Sequence, residues 1–297
     1  MKEKRTCGQR CEDFGNFVWN SDNGTFMGRT PAKWVYISLY YVAFYAVMTA
    51  LFSLSIWVLM YTLSPYTPDY QDRLQSPGVM VWPNTYGEEI VEITYNRSNK
   101  QSWMKMSNIL KNFLEPYNET IQQSRNNYTC AKGQYFIQSQ FTAPHHNKWS
   151  CPFCQSMLGA CSGISDPTFG YNCTMPCVII KMNRIINFLP SNITGVAPYV
   201  NCTVLVRNVQ KNIYLNDQNI ADIKYFPPNG TMDLSYFPYY GNLAQPNYVN
   251  PLVAVRFSLV NQKQATVQCR VVADKISYEN IHDPYEGKVT FSLKAES

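Results

Sequence analysis

Cysteine is the residue type best equipped for chemistry in this 297-residue chain, and its ten copies fall into two groups. Cys7 and Cys11 precede residue 12, whereas Cys130, Cys151, Cys154, Cys161, Cys173, Cys177, Cys202 and Cys269 fall between residues 130 and 269. A mesophilic cytosolic protein seldom carries so many, so the two groups read as belonging to two redox compartments, reducing for the first and oxidising for the second. Eight oxidised cysteines allow on the order of a hundred pairings. The simplest is sequential: Cys130 with Cys151, Cys161 with Cys177, and Cys202 with Cys269. In the chain-entropy picture these would contribute about 3, 3 and 4.5 kcal/mol, less any strain. Cys154 and Cys173 are then left to bridge each other or to stay as thiols. A zinc site on Cys151-x-x-Cys154 lacks a nearby histidine and faces an oxidising compartment, so no metal is expected.

Other chemistry is hard to find. The three histidines are His145 and His146, in a loop flanked by Pro144 and Asn147, and His282; all read as solvated surface residues. No Gly-x-Ser-x-Gly elbow, His-Glu-x-x-His helix, phosphate-binding loop or dinucleotide fingerprint occurs. Cys161-Ser162-Gly163-Ile164-Ser165 offers hydroxyls without a neighbouring base, and there is no Asp-x-Asp metal motif of the kind that nucleotide-sugar transferases carry. No catalytic residue and no cofactor are expected. The formal charge of +5 is spread along the chain rather than concentrated, which argues against nucleic acid as a partner.

One modification chemistry is well represented. Asn-x-Ser/Thr sequons begin at Asn96, Asn118, Asn127, Asn172, Asn192, Asn201 and Asn229, and they can be glycosylated only in the lumen of the secretory pathway. Asn172 and Asn201 each have a cysteine in the middle position, where an early disulfide would hinder access. An eighth sequon, Asn23-Gly24-Thr25, lies in the N-terminal tail.

The elements that carry these residues start with a membrane span. From Trp34 to Leu63 there is no Asp, Glu, Lys, Arg or His, and the run exceeds the roughly 20 residues needed to cross a bilayer. It begins too late and runs too long for a cleaved signal peptide, and Trp34, Tyr36, Trp57 and Tyr61 stand at its ends like interfacial belts. Basic residues at Lys2, Lys4, Arg5, Arg10, Arg29 and Lys33 precede it, and only Arg73 follows within twenty residues, so the N-terminus is expected in the cytosol. The expected organisation is a cytosolic tail over 1–33, a transmembrane helix over 34–63, a stalk over 64–87 and a glycosylated, disulfide-bonded ectodomain over 88–297. Prolines at 65, 68, 77 and 83 make the stalk read as extended and without a core.

Within the ectodomain, Trp103, Met106, Leu110, Phe113, Leu114 and Tyr117 recur at three and four residues, predicting one helix that starts at a Ser98/Gln101 capping box and ends at Pro116. It is the only helix expected outside the membrane. A strand-like run over 88–95 precedes it. Short β-branched and aromatic segments follow at 177–186, 220–226, 232–237, 252–260, 265–272 and 288–293. The fold class expected is a single transmembrane α-helix plus a mainly β, immunoglobulin-like sandwich with one helix inserted. Cys202 and Cys269, 67 apart, suit an inter-sheet bridge, although no Trp follows Trp149 to fill the place of the buried strand tryptophan of antibody domains.

Aromatic residues are the positive anomaly, with 22 Tyr, 15 Phe and 6 Trp. Inside the apolar helix, Tyr41, Phe44 and Tyr45 make a ridge on one face, suited either to lipid or to a partner helix. In the ectodomain, Tyr236-Phe237-Pro238-Tyr239-Tyr240-Gly241 forces a turn, and its tyrosines are either core plugs or recognition anchors.

Taken in order, Cys7-Gly8-Gln9, Phe26-Met27-Gly28-Arg29-Thr30, the aromatic helix, Tyr70-Gln71-Asp72-Arg73-Leu74, Lys181-Met182-Asn183-Arg184-Ile185, the Tyr-Phe-Pro-Tyr-Tyr-Gly turn and Pro251-Leu252-Val253-Ala254-Val255 resemble the β subunits of the Na+/K+- and H+/K+-transporting P-type ATPases. The resemblance runs nearly the whole chain. It implies a non-catalytic plasma-membrane subunit, single-pass with its C-terminus outside. That subunit pairs with a ten-helix catalytic α subunit, assists its folding and delivery, and tunes its K+ affinity. It further implies that Tyr41, Phe44 and Tyr45 pack on the seventh membrane helix of α, that Tyr239 and Tyr240 lie near the extracellular loop after it, and that the sequential cysteine pairs are the family's three disulfides. Cys154 and Cys173 depart from the family pattern. Tyr225-Phe226-Pro227-Pro228-Asn229-Gly230 and His282-Asp283-Pro284-Tyr285-Glu286-Gly287-Lys288 look most like the gastric H+/K+ type, whereas Phe113-Leu114-Glu115-Pro116-Tyr117-Asn118 looks more like the second Na+/K+ isoform. The alternatives are a type II adhesion or lectin-like receptor and a Golgi enzyme.

Overall fold

The apolar run and its flanks build the first of two units, residues 1–64 and 65–297. They are seen in a computed structural model that describes residues 7–71, 74–85, 87, 90–126, 128–139, 147–192, 196–208, 213–215, 219–260 and 264–297. In the first unit, α1 (Cys7–Val18) leads into a two-residue ladder between β1 (Trp19–Asn20) and β2 (Thr25–Phe26), and then α2 (Pro31–Thr62). Pro31 opens α2 where its missing N–H costs nothing. The Trp34 indole donates to the Phe26 carbonyl at 2.8 Å and its ring lies 5.8 Å from Phe26, so the tail ladder is tied to the first turn of α2. At 32 residues the helix is about 48 Å long, enough to cross a bilayer. Two hydroxyls within it are satisfied by the helix's own backbone: Ser55 donates to the Leu51 carbonyl and Thr62 to that of Leu59.

The second unit is a two-sheet sandwich. Its strands are β3 (Val79–Trp82), β4 (Val91–Asn96), β5 (Cys177–Met182), β6 (Tyr199–Asn208), β7 (Ile213–Leu215), β8 (Ile220–Phe226), β9 (Leu252–Leu259), β10 (Ala265–Val272) and β11 (Lys288–Glu296). One sheet runs β4-β11-β10-β6-β7 and the other β3-β5-β9-β8. The β4–β11 pair is parallel and the remaining pairs are antiparallel. Alternation along β10 sends Ala265, Val267, Cys269 and Val271 inward, while β5 and β9 are buried almost end to end, as central strands of a covered sheet are. Phe257 and Phe291 meet edge to face between the sheets, 6.0 Å apart. Helix α3 (Lys100–Leu114) buries Met106, Leu110 and Leu114, and its Phe113 stacks on Trp82 at 4.5 Å.

Several expectations need correction. The stretch 64–87 is not free of core, because Val79 and Val81 are buried and pair with β5. The segment 232–237 is not a strand: the Asp233 carboxylate accepts from the Ser235 amide and folds Leu234–Tyr236 into a 3-10 turn, a local bond that outcompetes a ladder. Helix α3 is capped by Asn99, whose side chain accepts from the Gln101 amide, rather than by Ser98. It is also not alone, since α4 (Glu119–Arg125) follows a 3-10 turn at Pro116 and α1 lies in the tail. The bridge from Cys202 to Cys269 is not between sheets; the two face each other on adjacent strands β6 and β10, with Cα atoms 4.0 Å apart.

Candidate functional site

The helix ridge is built by helical repetition alone. Tyr41 stacks on Tyr45 at 6.0 Å, and Tyr40 stacks on Phe44 at 6.3 Å, each pair one turn apart. Edge contacts between Tyr40 and Tyr41 and between Phe44 and Tyr45 join the two rows into one four-ring surface. No residue of α2 is buried, and Tyr41, Phe44 and Tyr45 are about half exposed. Tyr40 joins the expected Tyr41, Phe44 and Tyr45, its spacing to Phe44 being the same as that of Tyr41 to Tyr45.

The turn tyrosines are the opposite case. Tyr239 and Tyr240 are only 8% and 7% exposed, so within this chain they act as core plugs. Tyr239 packs on Tyr248 at 4.7 Å, and the Arg184 guanidinium sits 5.3 and 5.2 Å from their two ring centres while bonding the Asn250 side-chain oxygen. Asn250 in turn donates to the Met182 carbonyl, which locks the cation in place. The Tyr240 hydroxyl accepts from the Gln138 amide at 2.9 Å, and its own amide donates to Gln245 at 2.8 Å. Gly241 closes the turn at φ 94°, where a β-carbon would come within 3.2 Å of Ile186. Burial pushes the Tyr236 and Tyr248 phenols well above their ordinary range, and burial together with Arg184 holds the Lys181 ammonium below its own. Arg184 lies 64 and 66 residues before Tyr248 and Asn250, so only the fold brings the cluster together and local sequence does not signal it.

Among the described residues three disulfides are formed, Cys130–Cys151, Cys161–Cys177 and Cys202–Cys269. Cys154 and Cys173 are thiols. The Cys173 thiol donates to the Gly170 carbonyl, and burial with the nearby Glu119 charge pushes the Cys154 thiol up, which keeps it protonated and poorly nucleophilic. The Cys202 amide points away from β10 and donates to the Tyr225 hydroxyl at 3.0 Å, so a tyrosine on β8 makes the link between sheets that the bridge does not.

Sequon asparagines occupy varied settings. Asn172, Asn192, Asn201 and Asn229 are exposed; Asn96 is half-buried, with its oxygen accepting from the Ser98 and Asn99 amides. Asn118 is exposed and caps α4. Asn127, His145 and His146 lie outside the described residues, and His282 is exposed. Among the described residues no group of three His, Cys, Asp or Glu side chains could hold a metal.

Comparison with known proteins adds an independent finding. The profile of the family described as sodium/potassium ATPase beta chain matches residues 4–291. The chain is 50% identical to the potassium-transporting ATPase subunit beta of Canis lupus familiaris over 99% of this chain and 98% of that one. Identity to the human protein of the same name is also 50%, over 100% of this chain and 99% of that one. The sodium/potassium-transporting ATPase subunit beta-2 of Mus musculus is 41% identical over 99% and 98%.

Proposed function

This chain belongs to the sodium/potassium ATPase beta-chain family, and from that premise we propose that it is the non-catalytic β subunit of a K+-countertransporting P-type ATPase. In this reading it assembles with a catalytic α subunit, carries it through folding to the plasma membrane and tunes its K+ affinity, while ATP hydrolysis and ion sites belong to α. The tail is cytosolic and the sandwich extracellular, as the excess of basic residues before the helix favours. The higher identity to the potassium-transporting relatives, 50% against 41%, supports an H+/K+ rather than a Na+/K+ partner.

The observation that carries the reading is the aromatic ridge on α2. Four rings contact one another over two rows on a helix with no buried residue. Lipid gains little from such an ordered surface, whereas a second helix gains packing area over several rings. Tyr41, Phe44 and Tyr45 are therefore assigned as the α contact in the membrane. Tyr239 and Tyr240 are assigned a supporting part, setting the shape of the turn that the ectodomain offers to α rather than lending it their buried rings.

Co-expression with H+/K+ α and, separately, with Na+/K+ α tests this, reading surface delivery and K+-dependent ATPase activity against each α alone. Rescue of the H+/K+ α is the expected result, and rescue of both would make this a shared subunit. If neither gains stability while the chain reaches the surface by itself, the subunit reading fails.

A further inference from the structure

Between α3, α4 and the loop carrying Gln155 to Phe169 lies a groove of about 650 Å3, in the size range of sites that enclose small organic ligands. Its floor is apolar, made by Leu114 and Phe169, each 2% exposed. Its walls carry Lys111, Asn112 and Gln155. Asn118, the acceptor of the sequon Asn118-Glu119-Thr120, lines the same groove. We propose that this groove is the seat of the N-glycan carried by Asn118, whose first sugars pack into it as part of the folded ectodomain.

The side-chain geometry of Asn118 suits this. Its Oδ1 accepts from the Thr120 amide at 2.9 Å and from the Thr120 hydroxyl at 2.7 Å, which fixes the amide plane while capping α4. The Nδ2 is left as the group to which a sugar is joined, and nothing in that cap has to break when it is. A pyranose has an apolar C–H face and a rim of hydroxyls, matching an apolar floor beneath amide and ammonium walls. Attachment at the lip makes the ligand intramolecular, so even weak contacts are occupied at a high effective concentration. None of the other described sequon asparagines lines this groove. The proposal rests on the reading of the second unit as a glycosylated ectodomain.

The test uses the full chain purified from cells with a secretory pathway, with occupancy of each sequon mapped by peptide mass spectrometry. Asn118→Asp removes the acceptor but keeps a capping oxygen. Asn201→Asp makes the same change at an exposed sequon asparagine that does not line the groove. The expected result is that Asn118 is occupied, that Asn118→Asp lowers the unfolding midpoint by about 2–4 °C, and that Asn201→Asp leaves it within about 1 °C of the parent. Asn112→Ala is then expected to lower the midpoint of the glycosylated chain and to have no further effect in the Asn118→Asp background. A bare Asn118 beside other occupied sequons overturns the seat alone; bare sequons throughout overturn the glycosylation reading with it. Equal midpoints for the Asn118 and Asn201 variants, or additive effects of Asn112→Ala, also overturn the seat.

Discussion

Aromatic residues are used in opposite ways by the two units. On α2, Tyr41, Phe44 and Tyr45 are about half exposed and pack on neighbouring rings of their own helix. In the sandwich, Tyr239, Tyr240, Tyr248 and Tyr236 are less than a tenth exposed, and each is tied to backbone, amide or guanidinium. A tyrosine whose ring and hydroxyl are both satisfied within its own chain contributes to folding; one whose ring is satisfied only by its own helix is available for something else. The difference separates fold from function along one chain, and substitutions in the two places have different readouts.

The largest effect is expected from the β6–β10 bridge. Cys202→Ser with Cys269→Ser opens a loop of 67 residues between neighbouring strands and is expected to cost about 4.5 kcal/mol in the chain-entropy picture, read as lost trypsin resistance and intracellular retention. Next comes the core between the sheets: Phe291→Ala removes a fully buried ring packed on Phe257, at about 3–5 kcal/mol or less where the site relaxes, measured by denaturant unfolding of the full chain. Tyr239→Leu is milder, since it keeps apolar volume but strips the Arg184 guanidinium of one ring face, at about 1–2 kcal/mol. By contrast, Tyr41→Leu with Tyr45→Leu is expected to leave unfolding within about 0.5 kcal/mol while lowering recovery of α in co-purification. Equal stability losses for the Tyr239 and Tyr41/Tyr45 variants would erase the distinction.

The smallest effect is one of pH. The Glu119 carboxyl is held below its ordinary value chiefly by the Ser156 side chain, and less by the Glu119 and Ser156 amides, the latter donating to it at 3.1 Å, against the opposing effect of burial. A depressed folded pKa means a contribution present above the unfolded value and lost as pH falls through the folded one. The unfolding midpoint of the sandwich therefore drops a little further below about pH 4.5 in the parent than in Glu119→Gln, which keeps the sequon. Parallel curves would show that the contact adds nothing.

Much of this was legible in the sequence, because the strongest signals are periodic and local. Charge-free length defines α2, the three- and four-residue spacing defines α3, and β8 and β10 were read to the residue. The failures have physical causes. β6 carries Asn201 and Asn208, which dilute its strand signal, and its pairing with β10 is long-range, so a bridge along one sheet looked like a bridge between two. β3 hides among prolines because an edge strand tolerates them at its ends. The burial of Tyr239 and Tyr240 depends on Arg184, Gln138 and Tyr248, which local sequence does not bring near. The α2 ridge needed no such partners, so Tyr41, Phe44 and Tyr45 could be found from spacing, and Tyr40 with them had the second row been counted.

A photo-crosslinking amino acid placed at Phe44, and in a separate variant at Leu39, about 170° around the helix from the ridge centre, puts the central claim to the most direct test. Each variant is irradiated in membranes after co-expression with H+/K+ α. The account predicts a β–α adduct from position 44 and lipid-only labelling from position 39. Adducts of equal yield from both faces, or from Leu39 alone, would contradict it.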